Sequence, residues 1–446
     1  QNNICTENVY QKPVTLQNIM KFAVPTIAMT VFMSFYTMVD GLFVSNLIGT
    51  NALSAVNLTA PIIALVTAVS TMLATGGSAV IMKKMGEEKP HEARQDFTFL
   101  ILVNVAVGIL MCIIGYLCMD QIFDSMSLSS EVLAYCTAYL SHYLLFTVPI
   151  LLMNNFILYM IASNQSTLSL ICSVAGGIVN ILLDYLFIAV FHMGIEGAAI
   201  ATGIGYSVTA VVGCFTFSSR KNLLHFVKPV CRWKVLATAA ANGSSEMATA
   251  LVTGIITMMF NWTMLHYVGE NGVAAVTIIM YVLMFCSSLY TGYSYGVAPM
   301  ISFYYGEQNH SKLKKLIRIS TIFISIVSAV TIFASLVFTE QLVSVFARPD
   351  NPVYSLAVTG NRICSLSLIF IGFNIFASSM FTALSNGLIS AVLAFSRSFV
   401  FMLITMMILP ALLGVNGIWL ATPAAELLAI LLSAFFFFKY RKKYQY

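Results

Sequence analysis

The stretch APIIALVTAVSTMLATGGSAVIM, residues 60–82, carries no charged side chain and is long enough to cross a bilayer as a helix. Similar apolar runs recur along all 446 residues, of which 59% are hydrophobic and only 9% are charged. A soluble chain carries roughly 25% charged residues. The composition therefore predicts an integral membrane protein made of helices, with little mass left for a soluble domain.

Twelve apolar runs are candidate membrane spans, and several exceed the roughly 20 residues that a bilayer requires, which indicates tilted helices. The runs are residues 16–47, 51–82, 97–120, 132–162, 166–190, 196–217, 235–266, 273–305, 316–346, 353–384, 388–413 and 417–438. The nine cysteines form no CxxC pair, so we expect neither a metal site nor a disulfide framework. The first run has the length of a span and not of a short signal segment.

Charged residues in the connecting loops indicate how the chain is oriented. Lysine and arginine follow spans 2, 6, 8 and 12, whereas the alternate loops are acidic and hold Arg348 as their only base. Basic loops stay on the cytoplasmic side. We therefore expect a plasma-membrane protein with both termini cytoplasmic. The same bias accounts for the net charge of +5, so no nucleic-acid partner is expected.

This orientation can be tested with single cysteines in a Cys-free protein. Ser127→Cys, in an acidic loop, should react with an impermeant thiol reagent added to whole cells, because that loop is predicted to be extracellular. His225→Cys, in a basic loop, should stay unlabelled until the membrane is permeabilised. Labelling at position 225 without labelling at position 127 would reverse the orientation.

An internal repeat relates the two halves of the chain at an offset of 220 residues. GTNALSAVN at residues 49–57 aligns with GENGVAAVT at residues 269–277, and GIEGAAIAT at residues 194–202 aligns with GVNGIWLAT at residues 414–422. Gly86-Glu87 aligns with Gly306-Glu307 in the same register. Because six spans are an even number, the halves share one orientation and a pseudo-two-fold axis along the membrane normal.

The sequence thus predicts an all-α membrane protein of twelve transmembrane helices in two six-helix bundles. The lobes comprise residues 1–219 and residues 235–446. Residues 220–234, RKNLLHFVKPVCRWK, form a linker. The linker mixes basic with apolar residues, so we expect it to lie along the cytoplasmic interface. Parallel repeats of this kind are typical of transporters, whose sites lie near the middle of the membrane.

The repeat is broken at two carboxylates in the first half. Asp40 aligns with Phe260, and Asp184 aligns with Ile404. An aspartate at the bilayer centre costs roughly 2.5–3.5 kcal/mol on insertion scales, so its presence calls for a compensating role. One such role is simple hydrogen bonding between helices. Because no Lys or Arg is an obvious neighbour, an ion or proton site is the favoured interpretation.

Four polar residues of the first half have similar predicted depths. At the helical rise of about 1.5 Å per residue, Asp40, Asp184 and Thr202 each lie roughly 10 Å from the outer ends of their spans. Asn180 is four residues before Asp184 and therefore shares its helix face. These four side chains can converge if spans 1, 5 and 6 touch.

Four charged residues within spans of the second half have open roles. They are Glu246, Arg362, Arg397 and Glu426. They either line the second half of a cavity or pair with one another.

A stripe on span 1 consists of Met29, Met33 and Tyr36, which share a face because they are four and three residues apart. Packing against a neighbouring helix is the default interpretation. The alternative is a soft surface for varied apolar cations, which methionine and aromatic rings suit.

These residues together resemble a known family. The resemblance rests on Pro25 early in span 1, Asp40 near its outer end, LIGTNALSAVNLTAPI at residues 47–62, the Asn180-x3-Asp184 pair, and Thr202. With the six-plus-six repeat, this pattern resembles the MATE (multidrug and toxic compound extrusion) family over essentially the whole chain, and its DinF-like branch in particular.

The resemblance implies a V-shaped pair of bundles that exports organic cations in exchange for H⁺ or Na⁺. By match to the family, Asp40, Asn180, Asp184 and Thr202 would bind the coupling cation, and Pro25 would be the hinge of the first helix. The candidate substrate-cavity residues are Met29, Met33, Tyr36, Asn154 and Glu246. The NorM-like branch places acidic coupling residues in the second half, but Arg362 occupies span 10 here.

The expected partners are small organic cations and the lipid bilayer, with no cofactor apart from the coupling ion and with a monomeric chain. The alternative within the same superfamily is a flippase for lipid-linked saccharides or peptidoglycan precursors, which would use a cationic cavity. No filter loop of an ion channel is visible. An aspartyl protease built from Asp40 and Asp184 lacks supporting motifs, and no glycine-rich nucleotide-binding loop is present, so no enzymatic activity is expected.

Overall fold

The computed structural model describes residues 9–47, 50–124 and 130–446, with the side chains of residue 9 and residues 40–57 outside the description. Within these ranges the chain runs up and down as apolar helices. They are α1 (Leu16–Leu47), α2 (Thr50–Gly86), α3 (Pro90–Asp124), α4 (Ser130–Leu145 and Thr147–Ala162), α5 (Ser166–Val190), α6 (Gly194–Ser218), α7 (Trp233–Tyr267), α8 (Glu270–Gly306), α9 (His310–Val337), α10 (Pro352–Ala383), α11 (Gly387–Leu413) and α12 (Val415–Tyr444).

The predicted all-helical membrane architecture is confirmed. In the described part of the chain, eleven helices are long and apolar enough to cross a membrane, and the count reaches twelve with α4. The two halves of α4 meet at a bend of 54° after Leu145. Helices α1–α6 and α7–α12 form two lobes.

Two helix ends differ from the predicted spans. Helix α3 begins at Pro90 and not at residue 97, because its first polar turns are stabilised by ion pairs with neighbouring segments. Helix α9 ends at Val337 and not at residue 346, and a separate short helix, Thr339–Ser344, follows it. Glu340 in this short helix is exposed and paired with a base, which marks the polar boundary of the apolar run.

Irregular turns interrupt three of the helices. A π-helical turn covers Tyr185–Val190 directly after Asp184 in α5, and another covers Ser396–Phe401 in α11. A 3₁₀ turn at Ser365–Ser367 divides α10. Single π-helical turns inside α-helices are frequently found at functional sites.

The lobes meet where α2 packs against α7 and α8, and where α1 packs against α8. Glycines allow the backbones to touch there. A Cβ atom on Gly76 would lie 1.8 Å from the carbonyl oxygen of Ala239, and one on Gly243 would lie 1.9 Å from that of Met72. Small residues permit such close helix contacts in membranes. We call this contact zone the seam.

The seam follows the pseudo-two-fold axis. A Cβ atom on Gly86 would lie 2.0 Å from the carbonyl oxygen of Phe303, and one on Gly306 would lie 2.0 Å from that of Lys83. An offset of 220 residues exchanges these two contacts. They lie at the end of the helices that bears the basic loops, which we call the basic end. The close contacts between the lobes that the structure describes therefore extend from mid-helix to the basic end.

The linker between α6 and α7 is held on the first lobe. The carboxylate of Asp96 is buried at the start of α3, where it pairs with Lys84 and accepts a hydrogen bond of 2.8 Å from Arg232 Nη1. The ring of Phe226 stacks on Phe97 at 5.4 Å. Of the linker's neighbours expected at the membrane interface, Trp233 is 67% exposed and is the one available to it.

Tyr10 connects the lobes at the basic end. Its hydroxyl donates a hydrogen bond of 2.6 Å to the carbonyl oxygen of Ala162 in the first lobe. Its ring stacks on Phe303 of the second lobe at 4.8 Å. Because the side chain is fully buried, it contributes packing across the seam as well as one hydrogen bond.

Tyr10→Ala should therefore lower the stability of the purified protein by about 3 kcal/mol, the lower figure for truncating a buried aromatic ring. Tyr10→Phe keeps the stacked ring and should cost only about 1 kcal/mol, the net contribution of one hydrogen bond. Thermal unfolding midpoints in detergent measure both variants. Equal shifts for the two would show that the ring contact with Phe303 adds no stability.

Candidate functional site

The polar residues predicted on α5 and α6 lie together in the first lobe. Asn180 Nδ2 donates a hydrogen bond of 3.1 Å to Thr202 Oγ1. The side chain of Asp184 is buried one turn further along α5, with 1% exposure. Asn180 Oδ1 is also buried and has no hydrogen-bond partner in the described part of the chain. The structure thus places buried oxygen atoms where the sequence predicted an ion site.

Two glycines bring these helices close together. A Cβ atom on Gly176 would lie 2.7 Å from the carbonyl oxygen of Gly205, and one on Gly205 would lie 2.8 Å from that of Gly176. Gly205 also faces Asn180, whose Cβ would lie 3.0 Å away from the added atom. Sequence reasoning missed this pair, although small residues facing each other on adjacent apolar spans are the expected signal.

Asp40 belongs to α1, but its side chain lies outside the described residues, so its convergence with the other three stays a prediction. Helix α1 does pack along α5. A Cβ atom on Gly177 would lie 2.8 Å from Phe32 and 3.5 Å from Tyr36. Asp40 follows Tyr36 by one helical turn.

The donor set of this cluster consists of carboxylate, amide and hydroxyl oxygens. Such hard ligands suit a proton or a hard cation, and not a soft transition metal. In the described ranges, no group of three or more His, Cys, Asp or Glu side chains is arranged to hold a metal ion. The arrangement of Asn180, Asp184 and Thr202 is therefore compatible with Na⁺ or H⁺ and gives no indication of a resident metal.

The methionine stripe divides into two environments. Met33 and Tyr36 line a small pocket of the first lobe together with Gly177 and Tyr206. Met29 is buried in an adjoining apolar cluster, where it accepts a contact of 3.6 Å from Ser169 Oγ at its sulfur atom. The sequence did not single out Tyr206.

The remaining candidate cavity residues lie on α4 and α7. Asn154 Nδ2 donates to the carbonyl oxygen of Ile150 in its own helix at 3.3 Å. Glu246 lines a small cavity between the lobes with Tyr295 and polar residues such as Ser78. Of these residues, Glu246 has a carboxylate that faces the seam.

Pro25 lies within α1, which continues through it as an uninterrupted helix. Its neighbour Thr26 is fully buried at the seam, where a Cβ atom on Gly296 of α8 would lie 2.7 Å from Thr26 Oγ1. Proline removes one backbone hydrogen bond and eases bending of a helix. The predicted hinge is thus situated where the first helix contacts the second lobe.

The charged residues left open in the second half form two pairs. Arg397 Nε donates to Glu426 Oε1 at 2.8 Å inside the second lobe. Arg362 Nη2 donates to Glu340 Oε1 at 3.0 Å, and both side chains are more than half exposed. Arg362 therefore does not line a central cavity, because it reaches the polar boundary after α9.

Comparison with known proteins gives one family. The model of the MatE family matches the chain twice, at residues 25–186 and at residues 247–408. The two matches have equal length and nearly the same offset as the internal repeat. Together they cover well over half of the chain and begin in the first helix of each lobe.

Individual relatives agree with this match. The multidrug export protein MepA of Staphylococcus haemolyticus is 23% identical over 97% of this chain and 96% of its own length. A solved structure of MATE in complex with MaL6 superposes with a TM-score of 0.91, at 21% identity over 96% of both chains. An outward-facing multidrug resistance MATE family transporter gives 0.90 at 21% identity, again over 96% of both chains. These structures share the two-lobe fold.

Proposed function

The chain belongs to the MATE family of membrane transporters, and on this premise we propose that it exports small organic cations in exchange for H⁺ or Na⁺. The buried first-lobe cluster is the observation that carries this proposal. Asn180 and Thr202 are joined by a hydrogen bond, Asp184 lies one turn away, and Asn180 offers an unpartnered oxygen. A buried carboxylate within a membrane helix indicates a functional site by default.

Exchange would proceed by alternating access between the lobes. The close contacts along the seam lie toward the basic end, which the loop charges predict to be cytoplasmic. On this orientation the described arrangement corresponds to an outward-facing state. Opening the basic end would require the glycine contacts of α2 with α7 and α8 to separate. Pro25 in α1 is placed to bend during that change.

Coupling would follow from competition for one carboxylate. A proton or Na⁺ at Asp184 neutralises the charge that attracts a cationic substrate to the same lobe. The substrate in turn disfavours the ion by the same free energy, because linkage between two binding sites is reciprocal. Such antagonism converts an inward ion gradient into outward cation transport.

The adjoining pocket has the chemistry for apolar cations. Met33 offers a polarisable sulfur, while Tyr36 and Tyr206 offer aromatic faces. The small volume of this pocket suits a site that widens as the helices move. The flippase alternative requires free cationic groups for phosphates, but Arg397 is neutralised by Glu426.

The proposal can be tested in cells that lack their own efflux pumps. Cells expressing the protein should accumulate less ethidium than cells with an empty vector, because the cation is pumped out. A protonophore combined with a sodium ionophore should remove the difference. Ethidium accumulation equal to that of the vector control, with the protein present in the membrane, would contradict export of this class of cation.

A further inference from the structure

The polar network of the second lobe is closed on itself. Arg397 Nε donates to both carboxylate oxygens of Glu426, at 2.8 Å and 3.0 Å. Asn374 Nδ2 donates to Glu426 Oε2 at 2.7 Å, and Ser433 Oγ donates to Asn374 Oδ1 at 3.1 Å. Glu426 itself is 5% exposed. Charge and hydrogen bonds are therefore balanced within the network.

The repeat shows what this network replaces. At the offset of 220 residues, Arg397 corresponds to Gly177 and Glu426 corresponds to Tyr206, both of which line the small pocket of the first lobe. Asn374 corresponds to Asn154 of α4. The second lobe thus holds a guanidinium group on its own chain at the level where the first lobe leaves room.

We propose that Arg397 is a resident cation that occupies the second-lobe counterpart of the first-lobe pocket and prevents a mobile cation from binding there. This inference rests on the proposed function and assigns ion and substrate exchange to the first lobe alone. Arg397 acts as a positioning residue, since it sets the charge of the carboxylates and does not itself contact the cargo.

Removal of the guanidinium changes the charge balance of the second lobe. Arg397 interacts electrostatically with Glu246 as well as with Glu426, so the three groups together carry one net negative charge when all are ionised. Without Arg397 two carboxylates would face the vacated space. Buried charges of the same sign attract a cation strongly, because isolated buried carboxylates are costly.

A purely structural ion pair would behave differently. Buried pairs are often replaceable by neutral groups of similar size at little cost in stability. Such a pair would have no effect on the number of cations bound. Binding stoichiometry therefore distinguishes a resident cation from a structural pair.

The test uses equilibrium binding of radiolabelled tetraphenylphosphonium to the purified full-length protein, at a pH above the usual pKa values of carboxyl groups. Wild type and Arg397→Lys should bind one probe molecule per chain. Arg397→Ala should bind two, and the added Glu426→Gln change should bring the number back to one. An Arg397→Ala protein that binds the same number as wild type overturns the inference.

If Arg397→Ala is poorly folded, its thermal midpoint can be measured with methylguanidinium or urea at equal low concentration. A selective rise of Tm with the charged compound supports a vacated cation position, and equal responses to both compounds overturn it. The proposed function is judged separately. It fails if wild type binds no probe, whereas the inference depends only on the difference between Arg397→Ala and wild type.

Discussion

Asp184→Asn should reduce ethidium export by at least about tenfold, since coupling between two ligands is typically about 1–3 kcal/mol and this change removes the charge that both are proposed to share. The amide keeps the size of the side chain but cannot exchange a proton or attract a cation. Because the carboxylate is almost fully buried, its replacement also relieves a desolvation cost. Folding should therefore be unaffected or improved.

Initial efflux rates in cells and thermal midpoints of the purified variant measure the two effects separately. Asp350→Asn, an exposed carboxylate in the loop before α10, is the matched control and should export at the wild-type rate. Wild-type export by Asp184→Asn would remove Asp184 from the coupling site. Loss of export together with a lower midpoint would instead indicate a structural role for Asp184.

Gly243→Val should abolish transport by preventing closure of the seam. Any Cβ atom at this position would lie 1.9 Å from the carbonyl oxygen of Met72, which is backbone and cannot rotate away. Helices α2 and α7 would have to separate by more than the width of a methyl contact. The variant is expected to stay folded within each lobe but to lose the state in which the basic end is closed.

Gly254→Val is the control for this change. Gly254 is also in α7, but nothing lies within 4 Å of a Cβ atom there. Both variants replace glycine by valine inside the same helix, so their effects on helix propensity are similar. Ethidium export near the wild-type level in Gly254→Val, and at background in Gly243→Val, is the expected pair of results. Equal export by the two variants would show that seam closure is not required.

Much of the architecture could be predicted because membrane helices are specified by composition over short windows. The run at residues 60–82 needs no tertiary information to be identified as a span. The repeat gave the number and orientation of the lobes, since matches in one register are independent of packing. Equal depth along two spans also predicted that Asn180 and Thr202 lie at one level, and the structure joins them by a hydrogen bond.

Contacts between distant helices could not be predicted in the same way. Gly76 and Gly243 are visible as glycines, but the sequence does not show that each faces a carbonyl oxygen of the other lobe. The pairing of Arg397 with Glu426 was one of two open alternatives, because the residues belong to different helices. Asp96 lies at the polar start of a span, where exposure is the usual expectation, yet two cations bury it.

The central claim is that the first-lobe cluster couples an ion gradient to cation transport. It is tested most directly in proteoliposomes, by following uptake of radiolabelled tetraphenylphosphonium against outward gradients of H⁺ and of Na⁺ imposed separately. The account predicts that at least one gradient drives accumulation in wild type and that neither does so in Asp184→Asn. Gradient-driven accumulation by Asp184→Asn at the wild-type level would contradict it.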